Sequence, residues 1–338
     1  MTTEFSNVRQ RPWYLHPHLN SQALYVFAAL VILVAAISVV SSAFLTTGNL
    51  LNISKNFAYI GIASLGVTLV IITAGIDLSV GSVMALTAIV TSLLFRATAE
   101  WPTAAVPGLT LAICVTAGLA LAAFVGTVNG LLIARLGLSP FVTTLGTLSI
   151  CRGLGYVITE GRGVIVTGPD VSIFYAITDG TLLGIPTPLL FLLALAVWMG
   201  VFLHQTAWGR YVFAIGGNER AASLTGVPVE RVKVSIYVAS SLMAGFAGIL
   251  MAGWLGSVPA NLAFGYELRI IAAAVIGGAN LSGGAGGPAG AVIGAALIEV
   301  IRNGLVLSRV SAYWQDTLVG LIIILAVLVD RLRERRAS

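Results

Sequence analysis

The chain has 338 residues, of which 58% are hydrophobic and only 9% charged, against about 25% charged in an ordinary soluble domain; its mean hydropathy is +0.99. A soluble fold of this length could not hide so much apolar surface, so a water-soluble enzyme is excluded, and long runs without alternation, such as Ala28–Val40, exclude a transmembrane β-barrel. The excess of 18 basic over 13 acidic residues collects at the chain ends and in one loop, which sets orientation in a bilayer and does not point to nucleic acid.

The expectation is therefore an all-α, polytopic membrane protein with about ten transmembrane helices. At about 20 apolar residues per span, the segments lie near 23–43, 57–74, 80–97, 105–130, 140–158, 187–204, 234–255, 268–279, 289–305 and 314–330. Arg9 and Arg11 with Ser41-Ser42-Ala43 faintly resemble a secretion signal. The apolar run from Ala23 to Val40 is too long for that and reads as a retained span. Residues 159–186 form the main outer loop and 205–233 the main inner loop. The expected organisation is a cytoplasmic segment 1–22, a transmembrane domain 23–330 and a cytoplasmic tail 331–338. This orientation puts eleven basic residues inside and leaves four (Lys55, Arg96, Arg162, Arg309) in outer loops, as the positive-inside rule requires. The 38 glycines suit closely packed or broken helices of a transporter.

Several chemistries lack their residues. The two lysines, Lys55 and Lys233, precede Asn56 and Val234, so there is no phosphate-binding Gly-Lys-Ser/Thr loop. His16, His18 and His204 all lie outside the expected spans, and no acidic cluster suits a metal. Cys114 and Cys151 read as core packing. Neither metal nor cofactor is expected, and energy must come from another chain or an ion gradient.

The inner loop carries the most local information. Asn218 suits an N-cap, Glu219 a first turn, and Ala221, Ala222 and Leu224 a helix. Gly226 can end that helix in the left-handed conformation and Pro228 blocks its continuation. A two-turn helix is marginal in water without a packing partner, although a connector resting on lipid headgroups fits the same residues.

Gly216-Gly217-Asn218-Glu219-Arg220-Ala221-Ala222 followed by Leu224 and Gly226 resembles the coupling loop of ribose-type ABC sugar importer permeases. Gly75-Ile76-Asp77-Leu78-Ser79-Val80-Gly81-Ser82 is similar to that family's most recognisable motif. Pro140–Gly146 with Arg152-Gly153-Leu154, and the block from Tyr266 to Gly284, are similar to two further signatures. Where familiar members read Gly-Gly before Ile-Asp-Leu-Ser, this chain has Ala74-Gly75, a departure expected to be harmless. The resemblance implies the ten-span fold of vitamin B12-type importers and a pathway shared with a second permease copy or a paralogue. It also implies separate ABC ATPase subunits docking at Gly217–Gly226 and an external sugar-binding protein. A stand-alone secondary carrier, or a structural subunit without its own pathway, remains the alternative.

Within this frame Asp77 and Ser79 are candidates for a helix cap, a sugar contact or a proton relay. Asn129, one amide among apolar neighbours, suits interhelical bonding or the pathway lining. Asn280, in Gly278-Ala279-Asn280-Leu281-Ser282, faintly echoes the Asp77 motif and is a weaker pathway candidate. Glu299 and Arg302 are spaced to pair on one helix face.

Overall fold

The computed structural model describes residues 21–98, 101, 106–311 and scattered positions between 314 and 324. In chain order α1 (Ser21–Val40), α2 (Thr47–Ile72), α3 (Val80–Ala97), α4 (Leu109–Ala134) and α5 (Pro140–Thr159) are followed by a loop region. That region holds β1 (Val164–Ile165), α6 (Val171–Thr178), β2 (Thr181–Leu182) and β3 (Ile185–Pro186). Next come α7 (Thr187–Gln205), α8 (Ala207–Gly217), α9 (Glu219–Leu224) and α10 (Val229–Leu255), then β4 (Ser257–Val258), α11 (Tyr266–Ile276) and α12 (Pro288–Leu307). Prolines pre-set the first turns of α5, α7 and α12, where a missing N–H costs nothing. Gly256 closes α10 at φ +66°.

Among the described residues eight helices are long and apolar enough to cross a membrane: α1, α2, α3, α4, α5, α7, α10 and α12. The fold is thus a polytopic helical one. Three expected segments come out differently. The span expected at 57–74 begins at Thr47, because polar residues that read as loop are satisfied on the helix. Asn49 exchanges hydrogen bonds with Asn303, and Lys55 pairs with Asp179. The span expected at 268–279 is the 11-residue α11, which at about 1.5 Å per residue covers only about half of the hydrocarbon thickness. The 205–233 loop is mostly helical, since α8, α9 and the start of α10 fill it. The segment expected at 314–330 and the two tails lie largely outside the described residues.

α2 is the central element, with every residue from Ala58 to Ile72 buried. α10 packs along α4, α2 and α3, and glycine permits the close approach to α4. A Cβ on Gly126 would meet the Tyr237 carbonyl at 2.6 Å, and one on Gly130 would meet the Val234 Cα at 2.7 Å. Such small-residue contacts replace the hydrophobic drive that lipid abolishes between helices.

The loop between α5 and α7 is tied to the bundle by main-chain and charged contacts. β1 pairs antiparallel with β4, Val164 facing Val258. The Asp170 carboxylate accepts from the Gly108 and Leu111 amides at 3.0 Å each, capping the free amides of α4 from another element. These bonds hold its carboxyl below the usual carboxylate range. The attachment is therefore complete at neutral pH and is lost only as pH falls through that lowered value.

Ala74 overturns the expectation that its replacement of glycine is harmless. It sits at φ +57°, in the left-handed region where a Cβ costs about 1–2 kcal/mol, and it is exposed. Ala74→Gly should therefore stabilise the protein by about 0.5–1 kcal/mol, the strain relief less the extra freedom of an unfolded glycine. Thermal unfolding in detergent should show a raised midpoint; a lowered one would mean that the Ala74 methyl is worth more than its strain.

Candidate functional site

Two features of the fold gather the singled-out residues: an exposed helical tip and a buried polar knot. At the tip, Thr206 caps α8 by accepting from the Gly209 amide, and Val212 and Ile215 bury the inner face. Asn218 then breaks the helix in an extended conformation and caps α9, its Oδ1 accepting from the Ala221 amide at 3.0 Å. Gly226 turns the chain at φ +85°. Of the tip residues only Ala222 is buried. Gly217, Asn218, Glu219, Arg220, Ala221, Leu224 and Gly226 are exposed, and Leu224 stands 89% exposed. Glu219 is held from within the chain, because Lys233 on α10 donates to it at 2.6 Å.

The knot lies in the break between α2 and α3. Asp77 is fully buried. Its Oδ1 accepts from the Ser79 amide at 3.0 Å and the Ser79 hydroxyl at 2.6 Å, while Oδ2 accepts from Ser240 of α10 at 2.8 Å. Asn129 of α4 donates to Ser79 Oγ at 3.1 Å and accepts from Thr147 of α5. The Ile76 carbonyl accepts from Tyr237 of α10. One carboxylate thus links the start of α3 to α10, and through Ser79 to α4 and α5. A buried carboxylate at membrane depth demands such compensation.

A second break, between α11 and α12, folds in the same way. Asn280 Oδ1 accepts from the Ser282 amide at 2.9 Å, the same turn that Asp77 makes with Ser79. The two loops touch: the Gly284 amide donates to the Ile72 carbonyl at 2.8 Å, which is one of the orphan carbonyls at the end of α2. α8 closes the cluster. A Cβ on Gly216 would come within 1.8 Å of the Ile72 carbonyl and 2.5 Å of the Gly284 nitrogen, so only glycine lets the α8 main chain abut both breaks.

The structure therefore brings Asp77, Ser79 and Asn129 together in a sealed core, whereas Asn280 is exposed on the neighbouring loop. Ser240 and Thr147 belong to the same cluster and carry no local signal of it, each being a common residue in an ordinary helical stretch; Gly216, read from the sequence only as the start of the coupling-loop motif, belongs to it too. Glu299 is buried and pairs with Arg302 on α12. Among the described residues no three His, Cys, Asp or Glu side chains converge to hold a metal.

Known proteins resemble the chain over most of its length. Residues 49–327 match the model of the family described as branched-chain amino acid transport system / permease component. The chain is 39% identical to the probable ABC transporter permease protein y4mJ of Sinorhizobium fredii, over 93% of this chain and 90% of that one. It is 38% identical to the ribose import permease protein RbsC of Escherichia coli K12, over 99% and 100% of the two chains. It is 35% identical to the L-arabinose transport system permease protein AraH of the same strain, over 92% and 90%. No solved structure matches the chain.

The knot predicts a graded response at Asp77. Asp77→Asn keeps an acceptor for Ser79 and should lose little yield or thermal stability. Asp77→Leu strands the Ser79 amide and two hydroxyls, at about 1–3 kcal/mol each, and should abolish the folded protein as judged by detergent-extracted yield. Normal yield and stability for Asp77→Leu, with transport alone lost, would instead give Asp77 a direct role toward substrate.

Proposed function

We propose that this chain, which belongs to the branched-chain amino acid transport system / permease component family, is the membrane-spanning permease of an ATP-driven, binding-protein-dependent sugar importer. The family is a transporter component and not an enzyme, and the polytopic helical fold suits it. Sugar is preferred over the amino acids of the family description because the whole-length relatives carry out ribose import and L-arabinose transport.

The observation that carries the coupling is the α9 tip: six helical residues, capped at both ends, with Leu224 almost fully exposed. A helix this short needs a docking partner, and an ATP-hydrolysing subunit supplies one. Leu224 would be its apolar anchor, with Arg220 and the Lys233-held Glu219 fixing the register. Closure of two ATPase subunits would push α9 and α8, and Gly216 would pass the motion to both breaks at Ile72 and Gly284. The pathway is shared with a second permease copy or a paralogue, and a sugar-binding protein delivers substrate from the opposite face. The membrane domain is 23–330, and both tails, 1–22 and 331–338, share the cytoplasmic side with the tip, as the eleven-to-four basic bias favours.

Two experiments test the reading. Leu224→Asp lies outside every span, so the permease should insert at normal level. It forfeits an anchor of about 2–5 kcal/mol and should fail to co-purify with the ATPase or should hydrolyse ATP without uptake. Wild-type complex yield together with wild-type uptake would refute the coupling role. For orientation, a membrane-impermeant maleimide should not label Arg220→Cys from outside intact cells; labelling there would invert the topology.

A further inference from the structure

The turn between β4 and α11 is irregular main chain placed against the middle of a span. Arg152 lies about 18 Å from the Pro140 end of α5 and about 10 Å from the Thr159 end, at about 1.5 Å per residue. Its guanidinium donates to the Leu262 carbonyl at 2.6 Å and the Ala263 carbonyl at 3.4 Å, and so holds the turn. Ala263 is left-handed at φ +53° and Gly265 at φ +77°; a non-glycine residue in that region is strained backbone of the kind that collects at functional sites. The strained turn presents Phe264, 72% exposed, with the Arg152 guanidinium 5.7 Å from its ring centroid. Asn261 on the same turn, and Ser149 and Tyr156 on α5, are also exposed. Irregular backbone and polar side chains at this depth are tolerated only where they line a water-filled cavity or protein.

Resting on the sugar-import reading above, we propose that Phe264, Asn261 and Arg152 form a sugar subsite inside the translocation pathway. One face of the Phe264 ring is engaged by the cation, and the ring offers its remaining surface to the apolar C–H face of a pyranose or furanose. Asn261 and the unused N–H groups of Arg152 then meet hydroxyls at the rim, the pattern of an apolar platform with a few placed polar groups. The same chemistry disfavours an amino acid. Binding a carboxylate side by side would need both terminal guanidinium nitrogens free to point at it, and here each already donates to a main-chain carbonyl of the turn.

The test uses the full complex in proteoliposomes, with radiolabelled D-ribose, L-arabinose and L-leucine as probes. Phe264→Ala should lower sugar uptake about 3- to 10-fold at unchanged complex yield, and Phe264→Trp should retain most of it. Independently of transport, D-ribose or L-arabinose should slow maleimide labelling of Asn261→Cys, and should lose that protection in the Phe264→Ala background; L-leucine should not protect. Wild-type uptake by Phe264→Ala, or protection that survives it, overturns the subsite while leaving the importer reading intact. Dissociation of the complex by Phe264→Ala would make the ring a subunit contact and overturn it too. Uptake of L-leucine and of neither sugar would overturn both readings.

Discussion

Everything in this bundle is arranged around a carboxylate that cannot reach water. Asp77 sits fully buried where α2 has ended and α3 has not begun, and its two oxygens are satisfied by Ser79 and by Ser240 of α10. The demand for donors fixes where α2 stops, because the chain must turn back to bring Ser79 onto the carboxylate. Ending α2 there leaves the Ile72 carbonyl free, and the second break supplies Gly284 to fill it. The α2–α3 break therefore specifies the neighbouring loop, and the two loops together form the floor on which α8 rests at Gly216.

This arrangement places a short mechanical route between the exposed tip and the membrane interior. α9 is joined to α8 by a single capping residue, Asn218, and the last turn of α8 touches both breaks at main-chain distance. Main-chain contact without intervening side chains has little slack, since there are no rotamers to absorb a push. On the α5 side the packing is different: α5 leaves much of its surface exposed, and α11 spans only about half of the bilayer. A tightly packed α2–α4–α10 body beside a half-helix and an irregular turn is the contrast expected of a transporter, in which broken helices mark the path.

The sequence disclosed what depends on neighbours in the chain and withheld what depends on neighbours in space. The bounds of α9 were legible because Asn218, Gly226 and Pro228 act within a turn of themselves. The start of α3 at Val80 was legible from the switch of Asp77-Leu78-Ser79 to an apolar run. The N-terminal extension of α2 to Thr47 was not, because Asn49 and Lys55 look like loop residues until Asn303 and Asp179 arrive from distant elements. Neither was the half-length of α11, whose apolar run reads like a span unless one knows that the turn before it lies against Arg152. The cost at Ala74 was hidden as well, since the sign of φ is set by the loop it closes. The Asp77–Ser240 bond joins residues 163 positions apart, and no periodicity announces it.

A permease driven by other chains should do nothing alone. Purified chain reconstituted by itself, with a sodium or proton gradient imposed and D-ribose or L-arabinose supplied, should show no uptake. Adding the ATPase subunits, the binding protein and ATP should start it. Gradient-driven uptake by the chain alone would contradict the account and make this protein a carrier in its own right.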